Sequence, residues 1–422
     1  MTVIGLDDTD SRTLGMCTTY LATLVAEAIA DHGGTVERQL LIRLNPAVEH
    51  KTRGNAALAI HTDLPAGTAF DLACAELDRW AVVDDERTSP GLVVAPGAPD
   101  TISSAVADFA RDAIRDFHDL DDAVELAADS GFLSEGWHGG RGQIGALAAV
   151  GAWAAFDEWT YEHISYREFH RCGTPRDVDY DSVFEAADAG YPDAWDTVDH
   201  EEGEAVCVPN APGPILYGIR GDDPDVVREV AGAIDSEPVD RSATFLTNQG
   251  TDAHLRDGTL SDLQDGRAYC VSGTVASEPE TRTGGHVFFD LSDGDATVTM
   301  AAFEPTKRFR NRVRALRVGD DLTVCGEVAD ETLKLEKFAV RDLVQTEPTT
   351  PTCPDCERTM KSAGRNQGYR CRDCGTDAPG KVERPVERDL EIGWYEVPPC
   401  ARRHIAKPLV RGGFDSATHP ER

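Results

Sequence analysis

The sequence predicts a multidomain α+β protein with a mixed α/β module over residues 1–258, a small OB-type barrel over 266–345, and a zinc ribbon with a C-terminal tail over 346–422. Three observations carry this. The chain has 422 residues and is 41% hydrophobic, more apolar material than one core takes up. Its texture changes at Gly266 from alternating strands and helices to short strands separated by turn residues. Beyond Thr346–Pro351, a linker by composition, two Cys-x-x-Cys pairs stand fourteen residues apart.

In the first part, Thr2–Leu6 is a short apolar strand and Met16–Ala30 carries apolar residues at helical spacing, with an Asp-rich turn between them. Gln39–Leu44 and Ala56–His61 read as strands around the turn signal Asn45-Pro46. Helical patterns recur at Ala69–Trp80, Ser103–Phe117, Asp121–Asp129, Ile144–Glu158 and Pro224–Ile234, with a strand at Gly213–Arg220. The Pro/Gly stretch Ser89–Pro99 is read as the connection between the first two of these helices. In the second part, Tyr269–Val275, His286–Asp290, Ala296–Ala302, Asp321–Val328 and Thr332–Asp342 read as strands, with a helix at Lys307–Leu316 between the third and fourth. That order is the one of an OB-type barrel.

Charge is distributed unevenly. The 41 Lys and Arg against 75 Asp and Glu give a net charge of -34, and only seven of the cations are lysines. This is the balance of a hydrated surface adapted to high salt, and it speaks to solubility rather than fold. Residues 1–299 carry 19 cations and 55 anions, net -36, while residues 300–422 carry 22 and 20, net +2. The C-terminal part is held out of the acidic trend, as a segment that meets phosphate would be. No run of 18 apolar residues exists, and the start MTVIGLDDTDSRT lacks the pattern of a signal peptide. Both argue against a membrane protein and for the cytoplasm.

Several motifs carry chemistry. Gly5-Leu-Asp7-Asp8-Thr9-Asp10 sets three carboxylates at the end of a strand, where they repel one another unless a cation such as Mg²⁺ joins them; an Asx-turn with a helix cap uses the same residues. Gly15-Met-Cys-Thr18-Thr19 opens the next helix, whose free N–H groups favour an anion. Lys51 and Arg53, beside Gly54 and Asn55, offer phosphate donors, although two cations in a loop also serve as surface decoration. Gly139-Gly140-Arg141-Gly142 precedes an Ala-rich helix; with no convincing strand before it, the loop reads as an anion-cradling turn or as a close helix–helix approach. Leu246-Thr-Asn248-Gln249-Gly250-Thr251-Asp252 is dense in polar groups but by composition only a loop.

Cys353, Cys356, Cys371 and Cys374 have the spacing of a four-thiolate structural zinc site, which leaves no open position for catalysis. So short a ribbon cannot bury a core, so the metal contributes the folding free energy. Most of the remaining seven cysteines read as small buried residues. Lys307, Arg308, Arg310, Arg312, Arg314 and Arg317 crowd one helix of the barrel region. Together with a barrel and a ribbon they point to nucleic acid; a solvated helix face is the plainer alternative.

Taken together, GLDDTDS, GMCTTYLA, RLNPAVEHKTRGN, GRGQIGALAAVGA, YGIRG, LTNQGTDAH and the double CxxC resemble, in order and over nearly the whole chain, the archaeal tRNA 2-agmatinylcytidine synthetase family. The resemblance implies a kinase-like domain (about 1–62 and 128–195) interwoven with a ferredoxin-like domain (about 63–127 and 196–258), then an OB fold and a zinc ribbon. It implies ATP and Mg²⁺ at Asp7, Asp8 and Asp10, with catalytic roles for these, for Lys51 and for Thr18, which can itself become phosphorylated. Arg53, Gly54, Asn55, Gly140, Arg141 and Gly142 would meet the nucleotide phosphates. Asn248, Gln249, Thr251 and Asp252 would line the agmatine pocket, and the cations from Lys307 to Arg314 would grip the tRNA. The implied activity joins agmatine to carbon 2 of the wobble cytidine, position 34, of an isoleucine tRNA with a CAU anticodon. ATP is converted to AMP, and the tRNA then decodes AUA rather than AUG. The alternative, a non-catalytic OB-fold and zinc-ribbon nucleic-acid-binding protein, has no need of the Asp cluster with Lys51.

Overall fold

A computed structural model describes residues 1–51 and 54–422. Residues 1–258 build one nine-stranded sheet from β1 (Thr2–Asp7), β2 (Val36–Arg43), β3 (Ala56–Thr62), β4 (Gly91–Pro96), β5 (Leu133–Gly136), β6 (Thr160–Arg167), β7 (Ala194–Trp195), β8 (Ile215–Gly221) and β9 (Val239–Thr247), in the order β5-β4-β1-β3-β2-β9-β6-β8-β7. Alternation along β1 sends Ile4 and Leu6 to a core under α1 (Thr18–Asp31) and α2 (Ala66–Trp80). Val3 goes to a second core under α3 (Ser104–Ala113), α4 (Leu120–Asp129) and α5 (Gln143–Ala155). Lying between sheet and helices, α5 is apolar all round, as its QIGALAAVGAWAA sequence requires. The far half of the sheet is covered by α6 (Tyr180–Gly190) and α7 (Pro224–Ala233).

The two halves of this sheet meet at a short seam. Strands β2 and β9 pair in parallel only at Leu40 with Leu246 and Leu41 with Thr247. Where β9 ends, the Asn248 side chain takes over: its Oδ1 accepts the Arg43 N–H at 2.8 Å and its Nδ2 donates to the Arg43 carbonyl at 3.0 Å. A side-chain amide thereby extends a backbone ladder.

The barrel follows β10 (Leu255–Asp257) and consists of β11 (Ala268–Val275), β13 (Val287–Ser292), β14 (Thr297–Ala302), β15 (Asp321–Ala329) and β16 (Thr332–Asp342), with the two-residue β12 (Glu280–Thr281) on β13. Strand β11 pairs with both β13 and β15, and a parallel β14–β16 pairing closes the ring. Between β14 and β15 lies α8 (Phe309–Arg314), whose Phe309 and Val313 enter the barrel core.

The ribbon is made of β17 (Thr346–Thr349), β18 (Lys361–Ser362), β19 (Tyr369–Arg370), β20 (Asp377–Ala378) and β21 (Val382–Pro385). The expected linker Thr346–Pro351 is therefore largely a strand, because β17 pairs with β21 at the ribbon base. The tail returns to the barrel: β22 (Gly393–Glu396) pairs antiparallel with β16, and β23 (Thr418–His419) lies parallel to β22.

Other expectations in the first module need correction. Ser89–Pro99 contains β4, whose GLVVA run is buried on both faces and so shows no alternation. A strand, β5, does precede the Gly-rich loop. Strands β6 and β9 and helix α6 escape the sequence reading altogether.

Candidate functional site

At the end of β1 the chain turns sharply, with Asp8 in the left-handed region at φ 56°. The turn sets Asp7, Asp8 and Asp10 around one cavity of about 420 Å³, together with Thr18, Lys51, Asn55, Arg141 and Gly142. Asp7 Oδ1 accepts the Asp8 N–H at 2.7 Å, and Asp8 Oδ2 accepts from Arg141 Nη2 at 2.7 Å and from the Ser89 N–H at 3.2 Å. Burial, then Asp8 and Asp10, pushes the Asp7 carboxyl well above the usual range. Burial raises Asp8 to about 6, against the pull of Arg141. Buried carboxyls that repel one another in this way are a donor set suited to a divalent cation.

Two helix starts face this turn. Cys17 precedes α1 with no side-chain cap, and Thr9 Oγ1 donates to Thr18 Oγ1 at 3.2 Å. Gly142 precedes α5, again without a side-chain cap. The glycines of this loop also serve packing. A Cβ at Gly145 would overlap the Asp7 carboxylate, and one at Gly142 would stand 2.6 Å from the Gly91 nitrogen and 2.7 Å from the Asp7 carbonyl. Close approach of α5 to β1 and β4 is therefore one reason for the glycines, and it brings Arg141 to Asp8.

A second cavity, of about 510 Å³, shares Lys51 and Asn55 with the first. Its other charged walls are Arg43, Glu162, Arg220, Arg402 and Arg403. Glu162, buried on β6, holds Arg43 Nη2 at 3.1 Å and faces Arg220 Nε at 3.6 Å, and the two guanidiniums hold it below the usual carboxylate range. Arg402 is tied to Asp196 at 2.8 Å and to Glu396; Arg403 is tied to Glu336 at 2.5 Å and to Glu327. Burial lowers Lys51, and Arg403, Arg12 and Lys334 lower it further. Gly54 packs against Arg43, where a Cβ would lie 2.9 Å from Nη1. Arg53 lies outside the described residues. Sequence reasoning missed Glu162, Arg220, Arg402 and Arg403 as site residues, because they come from distant segments with no common spacing.

The four agmatine candidates do not converge on one cavity. Asn248 completes the seam, and Thr251 Oγ1 donates to the Asn248 carbonyl at 2.7 Å. Asp252 accepts from Lys337 Nζ at 2.5 Å and from the Lys407 N–H. Gln249 alone lines a cavity, the second, while accepting from Arg43 Nε at 2.9 Å. The basic helix is likewise partly committed. Arg308 reaches Asp199 at 2.9 Å, Glu201 at 3.1 Å and Glu421 at 2.5 Å, and Lys307 reaches Glu202 at 3.6 Å. Arg310 donates to the Gly285 carbonyl, Arg314 donates to Thr281, and Arg312 lies over the Tyr395 ring.

In the ribbon, one ligand atom from each of Cys353, Cys356, Cys371 and Cys374 lies within 4.8 Å of the others. The apolar cluster around them holds three buried residues, Cys353, Met360 and Cys371. A metal-sized thiol cluster in so small a core fits a structural zinc. Among the described residues no helix is long and apolar enough to cross a membrane.

Residues 3–69 match the TiaS TCKD domain, 140–254 the TiaS FLD domain, and 350–390 the TiaS C-terminal zinc ribbon domain. The chain is 59% identical to the isoleucine-tRNA 2-agmatinylcytidine synthetase TiaS of Haloquadratum walsbyi, over 100% of both chains. It superposes on the crystal structure of a complex of TiaS with its isoleucine tRNA and ATP with a TM-score of 0.90 at 40% identity, covering 100% of this chain and 99% of that one. For a complex of TiaS with the same tRNA, AMPCPP and agmatine the TM-score is 0.85 at 38% identity, with the same coverage.

Proposed function

The chain belongs to the TiaS family of isoleucine-tRNA 2-agmatinylcytidine synthetases, and from that premise we propose how its residues divide the reaction. It is an ATP-dependent ligase that attaches agmatine to a cytidine of an isoleucine tRNA. The finer reading is that the target is carbon 2 of the wobble cytidine of a CAU anticodon, which changes decoding from AUG to AUA, and that ATP ends as AMP and two phosphates, one phosphoryl group passing through the cytidine oxygen and the other ending on water. A cytosine carbonyl is a poor electrophile. Phosphorylating its oxygen turns that oxygen into a leaving group: agmatine's primary amine forms the new C–N bond, the C–O bond breaks, phosphate departs, and the amine gives up a proton.

The observation that carries the assignment is the convergence of Asp7, Asp8, Asp10, Thr18, Lys51 and Arg141 on one cavity between two uncapped helix starts. Asp7 and Asp8 would hold Mg²⁺, which supplies positive charge to phosphate oxygens when bound. Lys51, Asn55 and the N–H groups before α1 and α5 would orient the phosphates, with Arg53 and Gly54 in the same loop and Gly140 and Gly142 in the turn before α5. Thr18, hydrogen-bonded to Thr9, presents a hydroxyl at the same place and is a candidate phosphoryl acceptor. Agmatine is a dication and suits carboxylate surroundings, and of its four candidate residues only Gln249 stands on a cavity wall.

The barrel ring β11-β13-β14-β16-β15, with a helix between its third and fourth strands, supports naming it an OB fold. Its helix from Lys307 to Arg314 would face the tRNA with the cations left over from its ion pairs. The two halves of the nine-stranded sheet are where we place the interwoven kinase-like and ferredoxin-like domains. An enzyme whose substrate is a tRNA is read as cytoplasmic. The test supplies the zinc-retaining protein in high salt with Mg²⁺, ATP, labelled agmatine and total archaeal tRNA. Label in one isoleucine tRNA with formation of AMP is the expected result. Tight tRNA binding with neither label nor nucleotide turnover would overturn the reading in favour of a binding module.

A further inference from the structure

The reaction described above accounts for the carboxylate cavity and leaves the second cavity unexplained. In a protein of net charge -34 its walls hold five cations, Lys51, Arg43, Arg220, Arg402 and Arg403, against one carboxylate, Glu162. Arg402 and Arg403 are each tied by two carboxylates behind the wall, so the uncompensated charge of the cavity lies with Arg43, Arg220 and Lys51 around Glu162. Arg220 is the least satisfied of the four arginines. Among the described residues its only carboxylate neighbour is Glu162, 3.6 Å away and already held by Arg43, and its Nε has no hydrogen-bond partner. Two guanidiniums sharing one carboxylate leave a net positive charge in a partly desolvated wall, where attraction for an anion is stronger than at the surface.

We propose that this cavity seats a phosphodiester of the tRNA strand next to the target cytidine, with Arg220 as its principal partner and Arg43 and Lys51 beside it. The proposal rests on the reading of tRNA as substrate. Its geometry follows from the shared wall: with a base in the first cavity, the adjoining backbone passes Lys51 and Asn55 into the second. Charge points the same way. The overall field of the protein opposes a polyanion, and high salt screens exposed cations within a few ångströms. Grip on the strand therefore has to come from cations fixed in a recess, at hydrogen-bonding range. The other source of phosphate is the ATP polyphosphate, and the experiment separates the two.

The full-length protein, Arg220→Ala and Arg220→Lys are compared for tRNA affinity across a salt series and for the KM of tRNA, ATP and agmatine. The tRNA is also prepared with one uncharged methylphosphonate linkage on either side of the target cytidine. Arg220→Ala is expected to weaken tRNA binding by on the order of tenfold and to lower the slope of log Kd against log salt by about one. KM for ATP and agmatine should stay unchanged, and Arg220→Lys should recover part of the loss. One methylphosphonate should cost the wild type as much as the alanine variant loses, and cost that variant nothing further. A rise in the KM of ATP or of agmatine with tRNA affinity intact would overturn the proposal, as would a methylphosphonate effect that adds to Arg220→Ala. If Arg220→Ala melts at a lower temperature, Arg220→Lys and the methylphosphonate effect on the wild type decide. Product formation by the wild type is scored separately: its absence removes the proposed reaction, whereas the seat stands or falls on binding.

Discussion

Residues 1–258 are strongly acidic and residues 300–422 are near neutral, and the two meet through their charges. Seven cations of the C-terminal part reach carboxylates between Glu158 and Asp252: Lys307, Arg308, Lys337, Arg402, Lys407, Arg411 and Arg422 pair with Glu202, Asp199, Asp252, Asp196, Glu158, Asp222 and Asp188 respectively. The near-neutral half thus supplies counterions to the acidic half. A charge asymmetry that reads from sequence as a nucleic-acid surface is in good part an internal clasp, and the tRNA is left with what the clasp does not use. The halves differ in cohesion as well: the acidic half rests on continuous apolar cores, while the ribbon depends on four thiols.

The largest effect that would sharpen this contrast is at the acidic end. Asp8→Ala should cut turnover by on the order of a thousandfold or more while tRNA affinity is preserved; an active variant would remove the metal-site assignment. Next is the clasp itself. Arg402→Ala leaves Asp196 and Glu396 buried without their counter-ion, and chemical unfolding should register a loss of about 3–5 kcal/mol. A loss below one kcal/mol would show that the clasp is decoration.

Cys371→Ser should take zinc content from one ion per chain to none and melt the ribbon, with the catalytic module's melting temperature unmoved. Metal retained in full by that variant would refute the four-thiolate site. Acid should find the catalytic module before the barrel. Burial holds His61, His163 and His254 down to about 4, below the free value near 6.5, so between those pH values each of the three binds more protons in the unfolded chain and costs stability as pH falls, while Asp7 and Asp8, whose carboxyls burial raises, offset part of that loss. Amide exchange at pH 7 and pH 5 would locate the weakening, and uniform loss across both halves would contradict it. The smallest effect expected is for Lys407→Ala, whose partly exposed pair with Glu158 should contribute under about 1 kcal/mol.

How much of this is legible in the sequence depends on where each residue's partner lies. The barrel strands read nearly to the residue because half-buried alternation and turn residues are local signals. Strand β6, TYEHISYR, does not: its polar side chains are buried and satisfied from afar, Glu162 by Arg43 and Arg220, and Arg167 by Glu237 at 2.7 Å. The Asp cluster, Thr18, Lys51 and Arg141 stand in short motifs and are visible. Arg220, Arg402 and Arg403 acquire meaning only when β8 and the returning tail meet.

The seam at β2 and β9 has a mechanical consequence. Two backbone pairings and one asparagine amide join five strands to four, a shorter ladder than any other in the sheet except that of its two-residue edge strand β7. Arg43 leaves that seam on one side and Glu162 and Arg220 stand on the other. The cation-lined recess therefore straddles the seam, and the Arg43–Glu162 pair fastens its two walls together as the sheet alone does not.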